Sequence, residues 1–216
     1  GYMDSRARRW GGGCGALFLR AGCGGGGSAV DPQPTPQPTP QPTGTPTPGF
    51  ALVGFATLNG GTTGGKGGPT VDVSTFAALQ AAAGAAGPAI IRVTGKISAS
   101  GFIHVASDKT IVGVGSSGEL DGFGLELIGI RNVIVRNLKI HHVLASSGSG
   151  DAVHVQSAQN VWIDHCELYA DDPATQSDKD LYDGLIDLTL NSAFITISWC
   201  YLHDHWKGSL VGSSDE

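Results

Sequence analysis

The sequence predicts an all-β fold, a right-handed parallel β-helix (a solenoid of short strands) whose first coil is closed by an N-terminal capping helix. One strand-like pattern returns four times, as Asp108-Lys-Thr-Ile-Val-Gly-Val-Gly, Arg131-Asn-Val-Ile-Val-Arg-Asn-Leu, Gln159-Asn-Val-Trp-Ile-Asp-His-Cys and Ala193-Phe-Ile-Thr-Ile-Ser-Trp-Cys. Aligned copy on copy, Val112, Val135, Ile163 and Ile197 become equivalent, at spacings of 23, 28 and 34 residues. Such spacings belong to architectures in which each coil buries its apolar stripe against the next. No helical pattern separates the copies, which disfavours a doubly wound sheet. With 34 glycines and only 15% charged residues, the composition suits many short strands joined by tight turns.

In chain order, residues 1–30 read as a signal- or lipoprotein-like leader. Arg6, Arg8 and Arg9 make a basic start, Ala16-Leu17-Phe18-Leu19 is a short apolar patch, and Ala21-Gly22-Cys23 is similar to the end of a bacterial lipoprotein signal. Cys23 would then carry a lipid anchor. Arg20 and the shortness of the patch depart from that pattern, and the alternative is an upstream stretch outside any fold. Residues 31–48 repeat Pro-Gln-Pro-Thr and predict an extended, solvated linker or stalk. The folded domain is expected over 49–216.

Within it, the glycine-rich run 54–70 lacks the order of a phosphate-binding loop, because Lys66 is followed by Gly67. It reads as a turn-rich approach to a sheet. Ser74 or Thr75 is placed to cap a helix over 75–86, which Gly87-Pro88 would end.

A net charge of −6 gives no electrostatic case for nucleic acid. No apolar run reaches the roughly 18 residues of a transmembrane helix. Cys166 and Cys200 lack metal-site spacing and are expected as buried free thiols, a disulfide being the alternative.

The chemistry concentrates between Asp151 and Lys207. Asp151, Asp183 and Asp187 lie among short β-branched runs, and carboxylate oxygens there suit a hard cation such as Ca2+. Asp183 and Asp187 are an even number apart, so in a strand they share a face while Ile186 and Leu188 point inward. Strict alternation would put Val153 and Val155 beside Asp151, so a bend is required there. Lys207 suits an anionic substrate. Asp164 and His165 are expected as a structural hydrogen-bonded pair at a turn. His203, Asp204 and His205 would alternate faces, which argues against zinc. Trp162, Trp199 and Trp206 are expected as a stacking ladder or groove wall.

DAVHV, NVWIDHCEL, DLYDGLIDL and ISWCYLHDHWKGSLVGSSD closely resemble the pectate lyases of polysaccharide lyase family 1, from about Gly54 onward. That resemblance implies a parallel β-helix that cleaves polygalacturonate, or pectin, by β-elimination with calcium as electrophilic partner. It implies Asp151, Asp183 and Asp187 as calcium ligands and Lys207 as the lysine that holds a substrate carboxylate. The resemblance also implies a base arginine in an Arg-x-Pro-x-x-Arg motif on a later coil. These 216 residues contain no such motif, and Arg131 and Arg136 both precede Lys207. The base arginine is therefore expected beyond Glu216, with no catalytic residue of its own on this stretch. On that reading the chain is the N-terminal part of a catalytic domain, a monomer, inactive alone, and secreted or held at a bacterial cell surface. A non-catalytic, calcium-dependent galacturonan-binding β-helix is the alternative, and a structural surface β-helix with an incidental acidic groove is a weaker third.

Overall fold

The computed structural model describes residues 51–212. The leader, the linker and Cys23 lie outside the described residues, as do Glu216 and the base arginine expected beyond it. Strands of one coil pair in parallel with their equivalents on the next coil. After a 3-10 turn at Gly54–Thr57 come β1 (Thr70–Val73), α1 (Phe76–Gly84), β2 (Ala89–Val93) and β3 (Lys96–His104). It continues with β4 (Lys109–Gly113), β5 (Glu119–Ile128), β6 (Arg131–Arg136), β7 (Lys139–His141) and β8 (Val153–Gln156). The last coils are β9 (Gln159–Asp164), β10 (Glu167–Tyr169), β11 (Ile186–Thr189), then β12 (Ala193–Ser198), β13 (Tyr201–His203) and β14 (Ser209–Val211). All pairings between these strands are parallel, giving the expected right-handed parallel β-helix.

The solenoid has three faces. One is the sheet β1-β2-β4-β6-β9-β12. The long strands β3 and β5 turn a corner, aided by Gly101 (φ 106°) and Gly122 (φ 85°). Their first halves belong to a second face with β7, β10 and β13, and their second halves to a third with β8, β11 and β14.

Inward residues stack from coil to coil. Ile91, Ile111, Val135 and Ile163 are mutual register partners and fully buried, as are Val133 and Val161. This corrects the sequence alignment of the first repeat, since Ile111 rather than Val112 pairs with Val135. The run Thr-Ile-Val-Gly-Val is apolar at successive positions, so pattern alone leaves it free to slip by one, and a slip of one exchanges the faces.

Corners between faces rest on residues with left-handed backbone. Asp108, Asn132, Asn160 and Phe194 take φ of 55–63° at the entry to successive strands of the first face. Asn and Asp tolerate that region because their short polar side chains bond locally. Here Asn132 Nδ2 donates to Asp108 Oδ1 at 2.7 Å.

Helix α1 closes the first coil with Leu79 and Ala83 fully buried. Thr75 is the cap, its hydroxyl accepting from Ala78 N–H at 3.2 Å, and the helix ends at Gly84, two residues short of expectation. Lys109 lies inside the solenoid, fully buried, with Nζ donating to the carbonyls of Gly87 and Ser107. Burial pushes its pKa down.

The glycine-rich run becomes a strap across the outside of the first face. Thr63 and Gly64 N–H groups donate to Asn132 Oδ1, Gly65 N–H to Thr110 Oγ1, and Ala56 N–H to Thr196 Oγ1. A Cβ at Gly65 would fall 1.9 Å from Ala89 O, and one at Gly68 1.9 Å from Pro88 O, so the contact excludes any side chain there.

Candidate functional site

The acidic residues singled out by sequence meet on the third face. Asp151 follows the turn Ser147–Gly150 and precedes β8. A bend at Ala152 then turns Val153 and Val155 inward, where both are fully buried. Asp187 lies on β11 beside His154 of β8, with Ile186 buried below it and Leu188 packed against the core. Asp183 stands before the strand, so it approaches Asp187 through the chain at Gly184 and Leu185 rather than by strand alternation.

Gly184 is the hub. Its N–H donates to Asp151 Oδ1 at 2.8 Å. A Cβ built on it would stand 2.6 Å from Asp151 Oδ1 and 2.5 Å from Asp187 Oδ1. Only a residue without a side chain leaves that space between two carboxylates. The chain around them is closely fitted too, since a Cβ at Gly150 would come within 2.9 Å of Asp183 Cβ.

Burial is the chief cause raising the pKa of Asp151, with repulsion from Asp187 next. Asp187 is likewise raised by burial first, opposed by the Leu210 N–H through a 3.0 Å bond to Oδ1, with Asp183 adding repulsion. Asp151 is oriented from its other side by His154 Nδ1, 2.7 Å from Oδ2. Asp151 and Asp187 thus face each other across Gly184, each raised by burial and by a neighbouring carboxylate, with Asp183 near enough to repel Asp187. Carboxylate oxygens are the donors that a hard divalent cation takes.

Lys207 reaches this cluster from the following coil. Its Nζ lies 3.1 Å from Asp180 Oδ1 and 3.4 Å from Asp183 Oδ1, and the bond to Asp180 does most to raise its pKa. Burial lowers the His205 pKa, and the Lys207 charge adds to this.

Asp164 and His165 are elsewhere, at the end of β9 on the first face. Asp164 is fully buried and accepts from Arg136 Nε at 2.9 Å and Ser198 Oγ at 2.7 Å, with His165 Nδ1 at 2.8 Å. The Arg136 guanidinium sits 4.3 Å over the ring of Trp162, whose Nε1–H donates to Ser198. Trp199 is 80% exposed and Trp206 half-exposed, so the three tryptophans form no ladder. The stacked rings are instead His141, Tyr169, His203 and Tyr201, with centroids 4.2–4.9 Å apart along β7, β10 and β13. Cys166 and Cys200 are free thiols. His203 and Asp204 do meet, at 2.8 Å, because Asp204 takes φ 47° and breaks the alternation assumed for them.

Sequence reasoning passed over His154 and Glu126, register neighbours on this face. Glu126 Oε1 accepts from Ser149 N–H at 3.0 Å and so ties down the turn before Asp151. The signal for His154 was available, since it stands three residues after Asp151 in the run Asp-Ala-Val-His-Val.

The fold and site define a parallel β-solenoid with acidic residues and a lysine together on one face. The family model described as pectate lyase matches residues 43–216, and the chain belongs to that family. It is 48% identical over 163 residues to pectate lyase plyB of Emericella nidulans, covering 76% of this chain and 48% of that protein. It is 46% identical over 176 residues to the pectate trisaccharide-lyase of Bacillus licheniformis, covering 77% of this chain and 50% of that protein. Among solved structures it is similar to pectate lyase Bsp165PelA from Bacillus sp. N165 in complex with trigalacturonate, with a TM-score of 0.68 and 37% identity. That match covers 77% of this chain and 57% of the other. The chain spans about half the length of the curated relatives it matches.

Proposed function

We propose that this chain is the N-terminal, substrate-holding part of a calcium-dependent pectate lyase that cleaves polygalacturonate to unsaturated oligogalacturonides, secreted or displayed at a cell surface. The observation that carries the reading is the approach of Asp151 and Asp187 across Gly184, with Asp183 close enough to repel Asp187 and Lys207 beside Asp183. The three aspartates would hold calcium. Bound there, calcium supplies positive charge that draws a uronate carboxylate and stabilises the negative charge left when its neighbouring C5 proton is removed.

The chain's own residues do the positioning. Gly184 N–H and His154 fix both oxygens of Asp151, and Leu210 N–H fixes Asp187, so the donors are set before a ligand arrives. Lys207, held at the cluster by Asp180 and Asp183, exchanges those partners for a second carboxylate along the polymer. Its compact ammonium offsets the repulsion between an acidic protein and an acidic polymer.

The base that takes the C5 proton is proposed to be an arginine contributed from beyond Glu216. The three arginines among the described residues, Arg92 on β2 and Arg131 and Arg136 on β6, all lie on the first face rather than beside Asp187, and Arg136 and Arg92 pair with Asp164 and Asp72 at 2.9 and 3.2 Å. This favours a second reading for the chain taken alone, calcium-dependent galacturonan binding without cleavage. The test is to incubate the purified chain with polygalacturonate and calcium and follow the ultraviolet absorbance of the unsaturated product alongside retention on the polymer. Calcium-dependent retention without product is expected. Product formation by the chain alone would overturn the assignment of the base, and absence of retention would overturn the binding site.

A further inference from the structure

On the second face, away from the acidic cluster, Asp121 of β5 and His141 and His142 at the end of β7 converge. Neighbouring residues in a strand point to opposite faces. His142 escapes this because it takes φ 55° at the corner, which brings its ring edge-to-face against that of His141, centroids 4.7 Å apart. The two Nδ1 atoms lie 2.6 Å from each other, and Asp121 Oδ1 lies 3.4 Å from the first and 3.8 Å from the second.

The far nitrogens are both occupied. His141 Nε2 is 2.9 Å from Glu119 Oε1, and His142 Nε2 is 3.2 Å from Asp171 Oδ1. Lys96 Nζ lies 2.9 Å from Glu119 Oε1, and the Tyr182 hydroxyl donates to Asp171 Oδ2 at 2.6 Å, so each carboxylate already accepts from another donor. Ionised carboxylates only accept, so each Nε2 must carry the hydrogen it donates. In the neutral rings, both Nδ1 lone pairs then face each other, in a pocket where His141 is 3% exposed. Two lone pairs at that distance repel unless a positive centre lies between them. An imidazole whose other nitrogen donates to a carboxylate is also the arrangement that orients histidine toward a metal.

We propose that Asp121, His141 and His142 form a three-ligand site for a borderline divalent transition-metal ion of the zinc type, distinct from the acidic cluster and clamping β5 to β7. Two imidazoles and a carboxylate with an open fourth position suit that ion class and not calcium, which takes oxygen. Zinc bonds of about 2.0–2.2 Å separate neighbouring tetrahedral ligand atoms by roughly 3.4 Å. The metal would open the Nδ1 pair slightly and leave the contacts to Asp121 nearly as they stand. Asp121 comes from the preceding coil, so the ion would cross-link two coils at a corner of the solenoid. Glu119 and Asp171 are positioning residues.

The test uses the full chain, stripped with chelator, dialysed, then titrated calorimetrically with zinc in the presence of saturating calcium. One zinc ion per chain is expected, with the same affinity in Asp187→Asn. Asp121→Asn and His142→Asn should each lower the affinity at least a hundredfold. Asparagine is chosen at 142 because it accepts the positive φ, and circular dichroism is used to check that each variant keeps its strands. Glu119→Gln and Asp171→Asn should weaken binding by about 10–100-fold. Nitrogen-15 spectra of the zinc form should show both Nδ1 atoms ligated and both Nε2 atoms protonated. Failure of the folded chain to take up zinc, uptake unaffected by His142→Asn, or a proton retained at either Nδ1 would overturn the site and assign the pair a shared proton instead.

Discussion

Asp151 and Asp187 approach each other across a glycine. Each directs an Oδ1 at the space where a side chain of residue 184 would be, and the Gly184 N–H bonds one of them.

Filling that space separates the two carboxylates. Gly184→Ala should lower calcium affinity at least tenfold and cost about 1–3 kcal/mol of stability through overpacking. Gly208→Ala, where a Cβ meets nothing within 4 Å, should change neither. Calcium calorimetry and urea unfolding of both variants check this. Equal affinity in the two would remove Gly184 from the site.

The pKa values of Asp151 and Asp187 are raised by burial first, with repulsion from a neighbouring carboxylate adding to it. An acid whose folded-state pKa is raised binds its proton more tightly when folded. Its contribution therefore falls as pH climbs from the ordinary aspartate range through the raised values. Without calcium, Asp187→Asn should be more stable than the parent above that range and lose its advantage below it. Adding calcium at neutral pH should reverse the order. Urea midpoints measured across pH in chelator and in calcium decide it, and a pH-independent difference would contradict the linkage.

Arg136 pairs with the fully buried Asp164 and covers Trp162. Removing one partner of such a pair leaves a buried charge uncompensated, so Arg136→Ala should cost about 3–5 kcal/mol. Calcium affinity of the remaining folded protein should not change, because the pair sits on a different face from Asp187. Urea unfolding with calcium calorimetry separates the two effects.

Lys207 is 42% exposed at its side chain, and exposed pairs contribute little to folding. Lys207→Ala should therefore unfold within about 0.5 kcal/mol of the parent. Its affinity for trigalacturonate should drop about tenfold, the loss of one charge-assisted contact. Titration with the trisaccharide in saturating calcium measures this.

The solenoid was legible because its cause is repetitive. Each coil needs an apolar stripe, so the stripe recurs in sequence, and the capping helix announces itself through Thr75 and the apolar run behind it. The first repeat misled by one residue because Ile111, Val112 and Val114 offer apolar side chains to both faces. Lys109 was invisible as a core residue, since its burial depends on carbonyls of Gly87 and Ser107 brought round by the coil. The strap hid behind its glycines, whose role is close approach to Ala89 and Pro88 from another segment. Asp151, Asp183 and Asp187 stood out because motif spacing carries them, whereas His141 and His142 did not. Strand alternation sends neighbours apart, and only the positive φ of His142 brings them together.

The acidic cluster is proposed to hold calcium and, through it, a galacturonate polymer. The most direct measurement is titration of the purified chain with trigalacturonate in calcium, in chelator, and for Asp187→Asn in calcium. Binding in the first case and at least a hundredfold weaker binding in the other two is the predicted result. Equal affinity in all three would mean that neither calcium nor Asp187 takes part in holding the polymer.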